Sequence, residues 1–317
     1  MKDTLGVEVE HYSRSISPPR PDTYRPIVTS RTRLDEHVDT RVCNVLSIDV
    51  EDYYHPTEAQ RYVTTEQWWQ YPSRVEKSMR VMLDAMAEAN VKSTCFILGW
   101  LAERHPRLVA EIAAEGHEIA CHSYAHQLVF DLTPKQFRDD TRRAIAVIED
   151  ACGVTPRIYR APSCSITDKS EWALDILAEL GFTHDSSIYP VSHDRYGMPG
   201  SCRQAYVVDT PSGPITEVPV ATVDLGGGVV TPVGGGAYLR MFPYRYTAAG
   251  IRRMNAKENM PACLYVHPWE VDRDQPRLVK GFLGGLRTYY GLSSMEQKFK
   301  RLVHDFRFAP LGEVFPV

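Results

Sequence analysis

From residue 41 onward, short apolar runs alternate with longer segments in which apolar residues recur every three or four positions. The run Val-Cys-Asn-Val-Leu-Ser-Ile-Asp-Val over 42–50 reads as a strand, and 74–89 follows as a helix with Val75, Met79, Met82 and Met86 on one face. A second pair covers 93–98 and 100–115, where Leu101, Leu108 and Ile112 line one face and Gly116 supplies a residue tolerant of positive φ at the helix end. Thr133-Pro134-Lys135-Gln136 has the form of a capping box with proline in the first helical position. The helix it opens turns Phe137, Ala144, Ile145 and Ile148 inward, and Gly153 closes it. Further strands are expected at 157–160, 182–185, 205–209, 216–220 and 262–267, with helices near 168–180, 246–258 and 294–305.

Strands separated by single helices pair in parallel, and about seven of them close more naturally into an α/β barrel than into a doubly wound open sheet. Position supports the barrel. Asp49, His122, Arg160, Asp185 and His267 each fall at or just past the end of an expected strand, where chemistry collects in barrels. Residues 1–40 carry Ile-Ser-Pro-Pro-Arg-Pro among Asp, Arg and Thr without an apolar period, which predicts a flexible N-terminal arm followed by one catalytic domain over 41–317.

Composition narrows the function classes. A chain of 317 residues, 43% hydrophobic, can bury a large core, while a net charge of -4 and the lack of a basic run with interleaved aromatics argue against nucleic acid as a partner. The seven cysteines form no Cys-x-x-Cys pair, and four fall in expected strands, where a thiol acts as a small apolar filler rather than part of a disulfide framework. No leader-like apolar stretch and no integral membrane segment is evident, so a soluble, cytoplasmic protein is expected. No feature specifies an oligomeric state.

The densest chemistry lies in His122-Ser123-Tyr124-Ala125-His126. Two imidazoles four residues apart aim at one point if the chain between them turns helically, a spacing that suits a divalent metal. Ser47-Ile48-Asp49-Val50-Glu51-Asp52 gathers three carboxylates at the end of the first strand, which is costly unless a cation or shared proton relieves it. One carboxylate with two neutral imidazoles makes a three-ligand set with an open position, and leaves a second carboxylate free to act as a base. Alone, acidic residues there equally well cap a loop. Arg160, in Tyr159-Arg160-Ala161-Pro162-Ser163, can orient a carboxylate and keep it ionised, and His267 stands before Pro268 and Trp269 at another strand end. His105, His117 and His304 read as solvated or locally hydrogen-bonded.

In this order the motifs resemble those of the NodB-homology polysaccharide deacetylases, carbohydrate esterase family 4, over residues 42 to about 311. The segments carrying the resemblance are Asp49 to His55, His122 to His126, Arg160 to Ser163, Asp185 to Pro190 and His267 to Glu270. The likeness is nearest to the subgroup of bacterial exopolysaccharide biosynthesis clusters. It implies a distorted (β/α) barrel and a metal-dependent hydrolase, with zinc, cobalt or nickel, that removes N-acetyl groups from an amino sugar of an exopolysaccharide or its precursor. Carried over, Asp49 is the base, His267 the acid, Arg160 the residue that orients Asp49, and Asp185 the one that favours protonated His267. A backbone N–H of the Tyr53–Tyr54 turn would help hold the oxyanion. The family's adjacent Asp-Asp is here Asp49-Val50-Glu51-Asp52, so Glu51 or Asp52 joins His122 and His126 on the metal, and Asp52 is preferred. The usual tryptophan of the fourth motif is Ile188, leaving Trp269 or Tyr189 to wall the pocket.

Other features stay open. The glycine triplets 226–228 and 234–236 suit a β-turn segment near the sugar. Arg240, Tyr244 and Arg245 suit either a ligand contact or ordinary surface, and Trp68, Trp69 and Tyr71 either a stacking wall or core. Two alternatives to the deacetylase are an allantoinase-like amidohydrolase acting on a small amide and a carbohydrate-binding protein with a degenerate site.

Overall fold

A computed structural model describes residues 42–193 and 197–317. The expected arm before residue 41 lies outside the described residues. The main sheet contains β1 (Asn44–Val50), β2 (Thr94–Ile97), β3 (Glu118–Cys121), β4 (Ile158–Tyr159), β5 (His184–Asp185), β6 (Tyr206–Thr210) and β7 (Gly213–Glu217). A separate hairpin joins β8 (Thr222–Asp224) to β9 (Val230–Pro232), and β10 (Cys263–Val266) and β11 (Phe308–Ala309) return to the main sheet. Its order is β10-β1-β2-β3-β4-β5-β7-β6, with β11 also against β1. From β10 to β7 the pairing is parallel, which makes seven strands, while β6 runs antiparallel to β7. Closure comes from irregular chain: Ala221 N–H donates to Cys263 O at 2.9 Å, and Tyr265 N–H to Gly234 O at 2.8 Å. The barrel is distorted at this seam.

Side-chain alternation along the strands divides two cores. Val45, Phe96, Ala120, Ile158, Val218 and Cys263, drawn from or beside six strands, touch one another inside the barrel. Their sequence neighbours Leu46, Cys95, Ile119, Tyr159 and Leu264 pack outward against the helices. The helices form where the apolar period placed them. Val75–Glu88 buries Met79, Met82 and Met86, and Pro134–Cys152 begins at the expected capping box and ends at Gly153 with φ 71°.

Several elements differ from expectation. The helix expected over 100–115 is two, Gly99–Arg104 and Pro106–Ala114, because Pro106 has no N–H to continue the ladder and His105 leaves helical geometry at φ -125° and ψ 52°. Cys43 lies just before β1, so three cysteines rather than four sit in strands; all seven are free thiols. Gly226, Gly227 and Gly228 turn the β8–β9 hairpin, all with positive φ. The helices Gly236–Met241 and Phe282–Tyr289 have no counterpart in the sequence reading.

Candidate active site

The same alternation that builds the barrel interior delivers the site. Continuing the interior face of each strand by twos leads from Val45 to Asp49 and Glu51, from Ala120 to His122, from Ile158 to Arg160 and from Cys263 to His267. All five line one cavity of about 850 Å³ together with His126 and Trp269. They sit beyond the carboxyl ends of the parallel strands.

Glu51, His122 and His126 form a buried cluster whose candidate ligand atoms all lie within 4.8 Å of one another. Glu51 Oε1 is 3.0 Å from His122 Nε2 and 2.9 Å from His126 Nε2. Burial alone would raise the Glu51 carboxyl, but the two facing imidazoles, His126 foremost, hold it well below the usual range. His122 Nδ1 lies 2.8 Å from Arg160 O; because a carbonyl only accepts, Nδ1 carries the hydrogen, and a neutral ring then turns its Nε2 lone pair toward Glu51. Two acceptors 3.0 Å apart are relieved by a cation between them, so this donor set fits a divalent metal. The chain between the imidazoles is not helical, contrary to expectation. It is a loop with Ser123 at φ 63° and His126 at φ 52°, pinned by Ser123 Oγ accepting from His126 N–H and by Asp140 Oδ2 accepting from Tyr124 N–H. Gln60 Nε2 sits 3.0 Å from His126 Nδ1 and donates to His55 O at 2.8 Å. Neither Gln60 nor Asp140 stood out in the sequence.

The preference for Asp52 beside the imidazoles is corrected to Glu51. Asp52 is one position out of phase with Asp49 and Glu51, and its carboxylate faces the start of the helix Val75–Glu88. There it accepts from Ser73 Oγ at 2.6 Å, Arg74 N at 2.8 Å and Val75 N at 3.2 Å. It also accepts from Tyr53 N–H, so that donor is engaged, and neither Tyr53 nor Tyr54 lines the cavity; the expected oxyanion turn is not at the site.

Asp49 and Arg160 meet as expected. Arg160 Nη1 donates to Asp49 Oδ1 at 2.8 Å and to Ser47 Oγ at 2.6 Å, while its Nε and Nη2 bond Ser186 O and Oγ. Its burial disfavours the charge, but neighbouring Asp49 more than restores it. Asp49 Oδ2 stands 4.0 Å from His267 Nε2, leaving the two side chains on either side of a common space.

Asp185 does not reach His267, a second correction. It lies on the outward face of β5, hydrogen-bonded to Ser187 and to Glu217, and burial raises both carboxyl groups of that pair. The partner of His267 is Glu270: Oε2 is 3.0 Å from His267 Nδ1, and Oε1 accepts from Arg240 Nε at 3.0 Å. Burial opposes protonation of His267, but the hydrogen bond with Glu270 and the charges of Glu51, Glu270 and Asp49 push it up to about 9. Arg240 is therefore an internal residue, 1% exposed, rather than a surface cation. A Cβ on Gly236 would come 1.9 Å from Glu270 Oε2, so that glycine makes room for the carboxylate.

Trp269, stacked at 26° against His267, walls the cavity; Tyr189 is fully buried outside its lining. Trp68 is core and Trp69 is exposed, so neither supplies a stacking wall. His117 is buried, with Nδ1 accepting from Ser93 N–H at 3.1 Å.

Residues 62–184 match the model described as polysaccharide deacetylase. That match covers less than half of the chain. Residues 186–316 match a model described as a domain of unknown function (DUF3473), so the deacetylase match begins after Asp49 and Glu51 and ends before His267 and Glu270. Peptidoglycan-N-acetylglucosamine deacetylase of Bacillus cereus is 32% identical over 95 residues, which is 30% of this chain and 34% of that protein. Chitooligosaccharide deacetylase of Bradyrhizobium is 32% identical over 98 residues, 31% of this chain and 42% of that protein. These aligned stretches thus cover well under half of either curated relative. A Mycobacterium smegmatis structure assigned to the polysaccharide deacetylases superimposes with TM-score 0.53 at 18% identity, covering 86% of this chain and 90% of that one, and so shares the fold of the deacetylase domain.

Proposed function

We propose that the protein is a metal-dependent hydrolase that removes N-acetyl groups from an amino sugar of an exopolysaccharide or its precursor. The observation that carries this reading is the convergence, in one cavity, of the Glu51, His122 and His126 cluster with an arginine-held Asp49 and a glutamate-held His267. Glu51, His122 and His126 would hold the cation, for which zinc is the first choice and cobalt or nickel are alternatives. When bound, it supplies Lewis-acid activation of water and of the acetyl carbonyl.

The chain's own residues account for the proton movements. Asp49, fixed in orientation by Arg160, accepts the proton of the attacking water at a carboxylate oxygen. His267, kept protonated by Glu270, delivers a proton from Nε2 to the departing amine nitrogen. The 4.0 Å between Asp49 and His267 sets base and acid close enough to serve the same amide. Trp269 backs the His267 ring and excludes water from its far side.

The test is acetate release from an N-acetylated chitooligosaccharide by the full chain, abolished by chelation and restored by zinc, cobalt or nickel. Ammonia or ring opening from a small cyclic amide would instead support the amidohydrolase alternative. Saccharide binding with neither metal nor turnover would support a binding protein. Seven free thiols fit a reducing compartment, and we propose a cytoplasmic location.

A further inference from the structure

The helix Phe282–Tyr289 presents a surface that the deacetylation chemistry does not use. Phe282 is 83% exposed, Leu283 71%, Leu286 40%, and Tyr290 at its cap 56%. At about 100° per residue, these four project over little more than a quarter-turn. Away from that arc, Thr288 is buried and Gly284 is pressed against Val279, where a Cβ would lie 2.9 Å from Cγ1. The helix is therefore seated on the barrel by its small face, with its large apolar side chains turned outward. Phe242, also exposed, joins Phe282, Leu286 and Tyr290 along one groove. Contiguous apolar surface of this kind marks an interaction site more often than chance.

Charge selects the partner. Although the chain carries a net charge of -4, the stretch 275–295 contains Arg277, Lys280 and Arg287 and no Asp or Glu. All three are exposed: Arg277 lines the groove with its guanidinium over the Tyr289 ring, Lys280 precedes the helix by two residues, and Arg287 lies on the helix at the mouth of the active-site cavity. A second copy docked by the same face would bring these cations together with no acidic residue in the segment to pair them. A bilayer with anionic headgroups offers apolar depth and negative charge together. The location also fits: Arg240, Met241 and Phe242 line both this groove and the active-site cavity, and Arg287 and Thr288 of the helix line the cavity too.

We propose that this face seats the protein on a membrane surface containing anionic phospholipid, with Phe282, Leu283 and Leu286 entering the headgroup boundary and Arg277 and Lys280 facing lipid phosphates. Docking here is independent of the deacetylase reading, and its test reads binding rather than turnover. Full-length protein is sedimented with vesicles of phosphatidylcholine mixed with phosphatidylglycerol, and with vesicles of phosphatidylcholine alone. The expected result is binding to the mixed vesicles that weakens with salt, at least about tenfold weaker in the double variant F282S/L283S and at least about fivefold weaker in K280E. Because these positions are exposed, both variants should keep the parent melting temperature and the parent rate on a soluble substrate. Failure of the parent protein to bind mixed vesicles, or equal binding by F282S/L283S, overturns the proposal. A concentration-dependent dimer lost in F282S/L283S, without vesicle binding, overturns it in favour of a second copy.

Discussion

Glu270 stands between His267 and Arg240, one carboxylate oxygen 3.0 Å from His267 Nδ1 and the other 3.0 Å from Arg240 Nε. The geometry couples the proposed acid to a charge buried in the barrel wall. His267 must be protonated to donate, and its pKa near 9 keeps the proton through neutral pH, so acetate release should decline as pH rises through about 9. In Glu270→Gln the upper limb should move down toward the ordinary imidazole value of about 6.5. Loss of the charge partner of buried Arg240 should also cost roughly 3–5 kcal/mol of stability. A pH profile of acetate release, with denaturant melts at one pH, checks both; an unmoved upper limb would remove Glu270 from this role. Gly236→Ala should act in the same direction by displacing the carboxylate.

Asp49→Asn should retain bound metal, because the metal cluster comprises Glu51, His122 and His126, yet lose about 10²–10⁴-fold in turnover. Elemental analysis beside acetate release measures the two separately. Loss of metal in this variant would place Asp49 among the ligands instead of opposite them.

Glu51 and Asp52 make a paired test. Glu51→Gln should lose metal. Asp52→Ala should keep it while losing about 1–2 kcal/mol of stability, since Asp52 satisfies N–H groups at the start of the helix Val75–Glu88. Metal content and urea midpoints of the two variants decide the assignment, and the opposite pattern would restore Asp52.

Acid sensitivity should come in part from His117. Burial lowers its pKa to about 4, against about 6.5 in an unfolded chain. Between those values the unfolded state binds more protons, so the stability contribution is complete above about pH 6.5 and lost as pH falls toward 4, at most about 3 kcal/mol. His117→Asn should flatten the fall in urea midpoint across that window, and an unchanged slope would assign the loss to other groups.

The placement of the site was partly legible in the sequence, and its misreadings have a definite physical source. Asp49, His122, Arg160 and His267 could be located because each lies at a strand end. The choice between Glu51 and Asp52 could have been made from strand alternation, since Asp49 and Glu51 share a parity with Val45 while Asp52 does not. The same parity turns Asp185 outward, toward Glu217. Glu270, Arg240, Gln60 and Asp140 carried no comparable signal. Glu270 lies three residues past His267 in a turn, and Arg240 reaches it from a helix with no periodic signature.

The sequence by itself determined a parallel α/β fold, because apolar runs alternating with amphipathic segments place helices against the strands, and the clustering of Asp49, His122, Arg160, Asp185 and His267 at strand ends favoured a barrel over an open sheet. It also determined which side chains share the interior, because strand side chains alternate with period two. Tertiary structure alone decided which residues support His267 from behind and which helix face remains uncovered. The Arg240–Glu270 contact joins segments on either side of the seam where Tyr265 meets Gly234, a pairing that no local pattern records.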